Sequence, residues 1–383
     1  RTLIHCMIPE YLSRFALDMF IGEDDRKFFA HDRSVFDLPQ YAPETHYLDL
    51  TKSKYFEAIV FLRHYIKMTS DYYFSVEQKA KNVDLFMLTP SVSSPMGPGS
   101  DSEAIPIKFG AINSYLVDSS QFGFEPLLLN GIEKVYCYLP SMRGEDPDKR
   151  HLNQFFHCEA EIQGDIKKLI PIIEGFVQRL SRTTLLMKNI VNNISVDPDR
   201  TRVALEKILK SKSFPEMNFD EAVNTLVKNG KGDLVNFSES GRDISSDGEL
   251  ELMKIIEADV PIWIKNYDRN RVPFYQKPNP ENTDKVINAD LLFPPLLKGS
   301  FGGEIIGCGQ RQDDEQEMRE SLDRQGISPD PYRWYINLRS LPNYKTTSGF
   351  GIGIERFIAW ALCRDNIRDV ILYPRLKNTL MFP

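Results

Sequence analysis

Apolar and polar residues alternate in two neighbouring stretches that flank a highly charged segment. The first stretch is "KVYCYLP" (134–140), the second is "QFFHCEAEI" (154–162), and "RGEDPDKRH" (143–151) lies between them. A period of two residues is typical of β-strands, and a short polar connection between two such strands predicts a hairpin. A further strand is predicted in "VDLFMLTPSVSSP", ending at Pro90 because proline cannot donate to a central ladder.

Two long segments carry apolar residues at the three- and four-residue spacing of an amphipathic helix. The first begins at Tyr55 with "YFEAIVFLRHYIKM" and predicts a long packing helix. The second follows Asp165, and its apolar positions are Ile166, Leu169, Ile170, Ile173, Phe176, Val177 and Leu180. Pro171 interrupts this second pattern, and we expect a kink there because proline removes one backbone hydrogen bond.

The second half of the chain combines a polar segment with further strands. Residues 190–260 are more polar and contain short helical stretches such as "NFDEAVNTLVKNG", which indicates a largely helical insertion. Strand character returns in "VPIWIKNY" (260–267), "ADLLFP" and "GEIIGCG", and the chain closes with a helix, "RFIAWALC", and a strand, "VILYPR". Strands interspersed with helices, without regular βαβ alternation, favour an α+β fold with a mostly antiparallel sheet flanked by helices.

The segment "SGFGIGIER" (348–356) places glycine at every second position before an arginine and an apolar run. In a strand, the three glycines would leave one face without side chains, while Phe350, Ile352 and Ile354 would fill the other face. A bare strand face offers room for a flat ligand. The segment does not fit the dinucleotide-binding pattern G-x-G-x-x-G, because Ile354 stands where the third glycine belongs.

Composition and charge exclude several classes of protein. The 383 residues are 42% hydrophobic and 26% charged, which is typical of soluble globular chains. The net charge of −7 argues against non-specific attraction to nucleic acid or to an anionic membrane. No apolar run approaches the ~18 to 20 residues of a membrane span, and no signal peptide is recognisable, so we expect a cytoplasmic protein without membrane contact. Five cysteines without a C-x-x-C pair predict reduced thiols.

Cationic and aromatic positions indicate a nucleotide site of another kind. Neither the P-loop pattern G-x-x-x-x-G-K-[ST] nor the zinc-protease pattern H-E-x-x-H is present. Arg143 and Arg150 stand at the ends of the hairpin turn, and Arg356 directly follows the glycine strand. Because a guanidinium group pairs two oxygens at once, these three side chains are suited to a bent triphosphate. Phe155 would cover one face of adenine, and the glycine strand would lie beneath the other.

Two carboxylates are candidates for a metal site. Asp290 and Glu304 lie on predicted strands that follow each other along the chain. Mg²⁺ prefers carboxylate oxygens and commonly bridges them to substrate phosphates. We therefore expect this pair to hold Mg²⁺ beside the triphosphate.

Several spaced motifs together resemble one enzyme family. The stretch "YCYLPSMRGEDPDKRHLNQFFHCEAEI" resembles motif 2 of the class II aminoacyl-tRNA synthetases, and "SGFGIGIERFIAWALCRDNIRDVILYPR" resembles motif 3. The asparaginyl-tRNA synthetase branch is the most similar, through "HYLDL" (46–50), "FDEAVNTLVKNG" (219–230), "GEIIGCGQR" (303–311) and "YRWYINLR" (332–339). The resemblance implies the class II catalytic fold over residues 46–383, with the insertion at about 190–260, and a homodimer that pairs through motif 1 at 55–90.

The same resemblance implies that ATP is a co-substrate and gives its binding residues. Arg143 would grip the α-phosphate and the substrate carboxylate, Arg356 would hold the γ-phosphate, and Glu304 would complete the catalytic set. The other ATP-binding positions would be Glu145 at the adenine, Phe155 stacked on it, Arg150 and His151 at the phosphates, and Gly351 and Gly353 beneath the ring.

Metal and amino-acid positions are implied in the same way. Glu304 would bind Mg²⁺, with Asp290 as its partner. Gln121 would lie near the substrate amino group, and Arg311 would read the substrate side chain.

The sequence also departs from the asparaginyl branch. Residues 1–45 are expected to form an accessory N-terminal arm, since they are too few for the OB-fold that binds the anticodon in this branch. Gln312 stands where the branch usually has an acidic residue after the arginine of "QR", and Thr347-Ser348 stands where the branch has histidine-glycine before the glycine strand. The stretch "MGPGSDSE" (96–103), expected to be a mobile polar loop, lacks the E-G-G pattern of the branch. Positions that handle ATP are thus retained, while positions that read the amino-acid side chain or tRNA differ.

We therefore expect a free-standing paralogue, similar to asparagine synthetases of this family, that acts as a ligase. It would activate an aspartate- or asparagine-like acid with ATP as an acyl-adenylate and pass the acyl group to ammonia or a small amine, forming an amide, without tRNA as a partner. Two alternatives stay open: a truncated asparaginyl-tRNA synthetase, and a non-catalytic amino-acid sensor. Arg143, Glu304 and Arg356 argue against the sensor, because a sensor does not need a pyrophosphate-releasing apparatus. The residues leave the identity of the acid and of the acceptor open.

Overall fold

A large, mostly antiparallel sheet organises the part of the chain that the structure describes. The computed structural model describes residues 35–95 and 102–383. The helices are α1 (His46–Leu50), α2 (Lys54–Tyr72), α3 (Glu125–Leu129), α4 (Ile166–Leu186), α5 (Lys188–Ile194), α6 (Pro198–Lys210), α7 (Phe219–Lys228), α8 (Ser246–Ile255), α9 (Glu315–Arg324), α10 (Arg333–Asn337) and α11 (Ile354–Ala361). The strands are β1 (Lys81–Asn82), β2 (Leu88–Thr89), β3 (Pro106–Phe109), β4 (Ile112–Leu116), β5 (Lys134–Met142), β6 (Gln154–Gln163), β7 (Glu216–Asn218), β8 (Val235–Ser238), β9 (Gly241–Ile244), β10 (Ile262–Lys265), β11 (Pro278–Asn279), β12 (Asn282–Val286), β13 (Asn288–Phe293), β14 (Gly303–Gln310) and β15 (Thr347–Gly353).

The large sheet has the strand order β1–β5–β6–β15–β14–β13–β10–β7. Its outermost pairs, β1 with β5 and β10 with β7, are parallel, and the five inner pairs are antiparallel. Small sheets of β2–β4–β3, β8–β9 and β11–β12 lie beside it. The predicted α+β class with a mostly antiparallel sheet is confirmed.

The predicted hairpin is formed by β5 and β6, and its register separates two faces. Tyr138 pairs with Cys158, and Ser141 pairs with Phe155. Because side chains alternate along a strand, one face of β6 carries Cys158, Ala160 and Ile162, which are buried in the main core. The opposite face carries Phe155, His157, Glu159 and Glu161.

Helices α2, α4 and α11 pack on the core face of the sheet. Both long helices begin at a capping side chain, because Ser53 accepts a hydrogen bond from the Phe56 amide and Asp165 accepts one from the Lys168 amide. The apolar stripe predicted for α4 is buried at Leu169, Ile173, Phe176, Val177 and Leu180. Helix α4 continues through Pro171.

The glycine segment forms β15 and leads directly into α11, as predicted. Phe350, Ile352 and Ile354 are buried in the main core. On either side β15 pairs with β6 and β14, so its bare face lies at the centre of the sheet.

The segment 190–260 contains helices α6, α7 and α8 together with three short strands. Strand β7 extends the edge of the large sheet beside β10, and β8 and β9 form a hairpin. An ionic cluster anchors this hairpin: Asp268 accepts hydrogen bonds from Arg242 Nε at 2.9 Å and from Lys285 Nζ at 2.6 Å. The segment therefore packs directly against the sheet.

Two strand predictions need correction. The prediction of a strand in "VILYPR" is wrong, because Ile367–Val370 forms a 3-10 turn and the rest makes one isolated bridge, from Arg375 to Gln154. Both edges of β6 are already paired, with β5 and with β15, so this segment has no ladder to join and buries Val370 and Ile371 in the core. The strand in "VDLFMLTPSVSSP" is confirmed only at Leu88–Thr89, just before Pro90.

Several other predictions concern thiols, termini and membranes. Cys137, Cys158, Cys308 and Cys363 are buried free thiols, as predicted, and Cys6 lies outside the described residues. Residues 1–34 of the expected N-terminal arm and residues 96–101 of the expected loop also lie outside them. Within the described ranges, no helix has the length and apolar character needed to cross a bilayer.

Candidate active site

The candidate site lies on the sheet face opposite the helical core. Strand β15 contributes no side chains there at Gly349, Gly351 and Gly353. The neighbouring strand places a polar side chain beside each glycine, and these partners are Glu161, Glu159 and His157 in the same order. Two alternating patterns on adjacent strands therefore create a bare floor with a polar wall.

A cavity of about 100 Å³ borders this floor and brings together the predicted ATP-binding residues. Its lining includes Arg143, Glu145, Arg150, His151, Phe155, Gly351, Gly353 and Arg356, and also Glu304. The aromatic ring, the glycine strand and the three arginines thus face one common cavity, which we call the nucleotide cavity.

Two of the arginines lie against aromatic rings. The guanidinium carbon of Arg143 is 5.3 Å from the ring centre of Phe155, and that of Arg150 is 4.6 Å from the ring centre of Phe301. The Nε atoms of both arginines are buried and make no hydrogen bond to any described residue. Because an unpaired buried donor is costly, these groups suit an anionic ligand that supplies acceptors.

Arg356 and His151 each lie beside a carboxylate. Nη1 of Arg356 donates to Oε2 of Glu304 at 3.0 Å. Nδ1 of His151 is 2.9 Å from Oδ1 of Asp148. Burial, followed by the nearby charge of Arg356, lowers the pKa of His151. His151 is therefore held neutral near the arginines at neutral pH.

A β-bulge brings the two predicted metal carboxylates onto one face. Leu291 pairs with Ile306, whereas the next residue of β13 pairs with Glu304, so β14 has one extra residue at this point. The extra residue turns Glu304 toward the site. A Cβ on Gly307 would lie 3.3 Å from Oδ1 of Asp290 and 3.4 Å from Oε1 of Glu304. Both carboxylates therefore gather over this glycine.

Negative charge is crowded at this point. Burial, followed by repulsion from Glu304 and Glu249, raises the pKa of Asp290 well above its usual value. Burial and then Glu304 raise the pKa of Glu249 to about 7. Burial acts on Glu304 in the same direction, but Arg356 and the other arginines outweigh it and lower the pKa of Glu304.

The carboxylates fit a divalent cation that other ligands complete. A cation between Asp290 and Glu304 would relieve their repulsion. Across residues 35–95 and 102–383, no group of three or more ligating side chains is arranged to hold a metal ion alone. Mg²⁺ is commonly held by one or two carboxylates together with substrate phosphates, which is the arrangement that these residues allow.

A second cavity, of about 350 Å³, contains the two predicted substrate-binding residues, and we call it the substrate cavity. Gln121 donates through Nε2 to the hydroxyl of Tyr275. Nη2 of Arg311 donates to Oε2 of Glu161 at 3.0 Å, and both side chains are buried. The cavity is also lined by Tyr275, Glu159 and Gln276.

A third cavity, of about 580 Å³, extends toward the segment 190–260. Asn236, Asp243 and Glu249 line it from β8, β9 and α8. Arg143 and Glu304 line all three cavities. These two residues therefore mark the point where the cavities meet.

Four residues of the site were missed as functional positions by sequence reasoning. Glu159 and Glu161 lie beside the substrate cavity, and His157, interpreted as structural, lines both the nucleotide and the substrate cavity. The alternation in "QFFHCEAEI" is the signal that places these three on the face of Phe155. Glu249 is 55 positions from Glu304, with which it shares a hydrogen bond, and no local pattern marks it.

A central glycine strand is followed by an arginine in the first turn of the next helix, and the hairpin connection near the end of this strand carries two more arginines. Together with the sheet order, this arrangement defines the catalytic fold of class II aminoacyl-tRNA synthetases. The chain belongs to the class II tRNA synthetases (D, K and N), the family whose model matches residues 40–377. The recognition made from the motifs is confirmed.

Curated relatives of the chain include asparagine–tRNA ligases. The chain is 34% identical over 275 residues to that of Thermococcus kodakarensis, covering 70% of this chain and 58% of the relative. It is 34% identical over 272 residues to that of Pyrococcus furiosus, covering 70% of this chain and 58% of the relative. The chain thus spans less than two thirds of the length of these curated relatives.

Solved structures agree with this relationship. The asparaginyl-tRNA synthetase from Pyrococcus horikoshii complexed with asparaginyl-adenylate superposes with a TM-score of 0.78 at 27% identity, over 94% of this chain and 76% of that one. The Entamoeba histolytica asparaginyl-tRNA synthetase in complex with asparaginyl-adenylate, at 22% identity, has the same fold, with a TM-score of 0.73 over 94% of this chain and 76% of that one.

Proposed function

We propose that this chain activates an aspartate- or asparagine-like acid with ATP, forming an acyl-adenylate and pyrophosphate. The observation that carries the proposal is the meeting of the nucleotide cavity and the substrate cavity at Arg143 and Glu304. An acid held between Gln121 and Arg311 would present its α-carboxylate to the α-phosphate of ATP. The relatives, named as ligases of asparagine, and the adenylate bound in one solved relative support the same chemistry.

In the proposed reaction, a substrate carboxylate oxygen bonds to the α-phosphorus, and the bond from that phosphorus to pyrophosphate breaks. Arg143 would contact both reacting groups, while Arg150 and Arg356 would neutralise the departing pyrophosphate. These residues act by alignment and by charge, and no covalent nucleophile is needed. Mg²⁺ held by Glu304 and Asp290 would add positive charge at the phosphates.

The buried ion pair in the substrate cavity favours a neutral polar side chain on the acid. Glu161 already neutralises Arg311, so a substrate carboxylate would introduce an uncompensated charge into a buried site. A carboxamide has one acceptor for the guanidinium group and one donor for the carboxylate. We therefore place asparagine ahead of aspartate among the acids.

We further propose that the acyl group passes to ammonia or a small amine. The third cavity is lined by Glu145, Asp146, Asp243 and Glu249, in addition to the two metal carboxylates. Arg143 and Arg356 also line this cavity, but the carboxyl groups outnumber them, so the wall favours amines over RNA phosphates. The amine nitrogen would bond to the acyl carbon, AMP would leave, and the surplus proton would pass to solvent.

Transfer to tRNA is the second candidate, and the names of the relatives favour it. In that case the chain would act as the catalytic part of an asparaginyl-tRNA synthetase. A non-catalytic amino-acid sensor is a third reading. The three arginines that line the nucleotide cavity argue against it, because a sensor of amino acids does not need a pyrophosphate-releasing apparatus.

Pyrophosphate release tests these candidates. The chain is incubated with ATP, Mg²⁺ and each amino acid, first alone and then with ammonia, small amines or tRNA. We expect pyrophosphate to exchange into ATP when asparagine is present, and we expect net turnover when an amine is added. Turnover that requires tRNA would overturn the amine proposal, and absence of exchange with every acid would overturn the activation step.

Variants supply the controls for this assay. Arg143→Ala is expected to lower the exchange rate by about 100-fold or more, since it removes a cation that contacts both reacting groups. Arg319→Ala is the matched control, because Arg319 pairs with Glu315 on the surface of α9. A full rate with Arg143→Ala would contradict the role assigned to Arg143.

A further inference from the structure

A carboxylate from the segment 190–260 reaches the nucleotide site. Glu249 lies in the first turn of α8, and its side chain is 17% exposed. Its Oε2 accepts a hydrogen bond from the backbone amide of Glu304 at 2.9 Å and lies 3.9 Å from Nη2 of Arg150. One carboxylate thus accepts a hydrogen bond from the start of β14 and faces an arginine of the hairpin connection.

The backbone at Gly303 is shaped around this contact. Gly303 has a φ of +79°, a left-handed value that favours glycine. A Cβ at this position would overlap Oε2 of Glu249 and lie 3.0 Å from Nη2 of Arg150. Glycine is therefore needed here for its conformation and for the space that the two side chains occupy.

Arg150 and Arg356 each lie beside a different carboxylate. Arg356 is paired with Glu304, and Arg150 lies beside Glu249. Burial and the positive charge of Arg356 both oppose the charged form of Arg150 and lower its pKa. Without the opposing carboxylate, like-charge repulsion would favour a position of Arg150 further from the nucleotide cavity.

We propose that Glu249 is a positioning residue of the adenylation reaction. It holds the guanidinium group of Arg150 at the triphosphate end of the nucleotide cavity and fixes the backbone that carries Glu304. It acts through these two residues and does not touch the reacting atoms. The inference rests on the proposed function, and it gives the segment 190–260 a part in the chemistry.

The test compares Glu249→Gln and Glu249→Ala with the control Glu251→Gln in the full chain. Glutamine keeps an acceptor for the Glu304 amide but replaces the carboxyl group that faces Arg150 with a neutral amide, and alanine removes both the acceptor and the carboxyl group. Glu251 lies on the same helix and pairs with Lys254, whose side chain is 74% exposed. Its variant therefore reports the effect of losing one acidic residue from α8.

Pyrophosphate exchange at saturating amino acid is measured against ATP concentration. We expect the KM for ATP to rise about tenfold in Glu249→Gln and further in Glu249→Ala, with a smaller change in kcat and a control within about twofold of the parent. Thermal unfolding shows that each variant is folded. Folded variants of Glu249 with an unchanged KM for ATP would overturn the proposal, as would an equal effect in the control.

A Mg²⁺ titration at saturating ATP separates positioning from metal binding. The half-saturating Mg²⁺ concentration is expected to stay within about twofold in Glu249→Gln. A large rise of that concentration with an unchanged KM for ATP would make Glu249 a metal ligand and contradict the positioning role.

Equilibrium binding of a fluorescent ATP analogue separates this inference from the proposed function. If the parent chain shows no exchange with any acid, the proposed function fails, but the inference is still tested by binding. A weaker affinity for the analogue in Glu249→Gln, with the control unchanged, supports the role of Glu249. Equal affinities in all three chains overturn it.

Discussion

The glycines of β15 differ in what lies above them. A Cβ at Gly349 would overlap Nη2 of Arg311 and lie 2.8 Å from Oε2 of Glu161. A Cβ at Gly351 would lie 3.5 Å from Cγ of Glu159, which is an ordinary van der Waals distance. Gly349 is therefore required by the buried ion pair, whereas Gly351 keeps the floor of the nucleotide cavity flat.

This difference predicts that two nearby substitutions raise the KM of different substrates. Gly349→Ala is expected to displace the ion pair of the substrate cavity and to raise the KM for the amino acid by about tenfold or more. Gly351→Ala leaves the pair in place and is expected to raise the KM for ATP instead. Exchange kinetics with each substrate varied in turn check this. Equal effects on both constants in both variants would contradict it.

Phe155 and Phe156 form a second matched pair, because they point to opposite faces of β6. Phe155→Leu removes the ring that would stack on adenine and is expected to raise the KM for ATP by up to about tenfold. Phe156→Leu changes a side chain that packs against the main core, as Phe155 also does, but that does not line the nucleotide cavity. It is expected to lower the unfolding temperature while the KM for ATP stays within about twofold. A KM for ATP that is unchanged in Phe155→Leu would remove the stacking role.

Single site residues could be predicted where a local pattern carries them. Alternation and the family motifs anticipated that Phe155, Arg143 and Arg356 face one cavity, and the structure brings them there. Glu249 could not be found in this way, because its partners lie on other segments and its own helix shows only ordinary amphipathic spacing. Contacts of this kind depend on the tertiary fold.

Strand β14 shows the same limit for an element. Strict alternation in "GEIIGCG" would put Glu304 on the same side as Ile306 and Cys308, which are both buried in the core. The bulge reverses the alternation after Ile305 and brings Glu304 to the site. The proximity of the Glu304 and Asp290 side chains thus depends on a β-bulge that no residue pattern predicts.

Elements with a steady period were predicted well, and the exceptions follow from the position of sheet edges. The hairpin, α2, α4 and the glycine strand with α11 have the expected type and place. The segment "VILYPR" has the residues of a strand, but it cannot add to the sheet beside β6, because both edges of β6 are already paired with β5 and β15. Sheet order, which decides this, is a property of the whole chain.

Asp268 provides a stability prediction for the β8–β9 hairpin. Burial alone would raise the pKa of Asp268, but hydrogen bonds from Arg242 and Lys285 outweigh it and hold the pKa at about 2. Because the folded value lies below the usual one, the stabilisation is complete above pH of about 4 and is lost as the pH falls toward about 2. Asp268→Asn is expected to lower the free energy of unfolding at pH 7 by about 2 kcal/mol.

Urea unfolding at neutral and at acid pH checks this prediction. The control is Asp284→Asn. The Asp284 side chain is 83% exposed, and its Oδ1 atom lies 3.5 Å from Nη1 of Arg324, so the pair is a surface ion pair. The control is expected to change the free energy of unfolding by less than about 0.5 kcal/mol. A deficit in Asp268→Asn that does not narrow as the pH falls below about 4 would contradict the assigned pKa.

For the whole molecule, the large sheet separates a core from a reaction surface. Helices α2, α4 and α11 cover one face, and the cavities open on the other. Apolar clusters around Phe219 and Phe274 support the walls of the site on that second face. Residues far apart in the chain therefore meet above a few glycines, and the proposed positions of the nucleotide, the acid and the metal would all lie beside one strand.

This arrangement predicts that a ligand filling both cavities gains more than the sum of its parts. A non-hydrolysable asparaginyl-adenylate analogue would occupy the nucleotide and substrate cavities and contact Arg143 at their junction. We expect it to bind at least about 100-fold more tightly than ATP or asparagine alone, because one association replaces two and the analogue resembles the activated state. Calorimetric titration measures the three affinities. Arg143→Ala should remove most of the advantage, while an analogue no tighter than ATP would show that the two cavities do not serve one reaction.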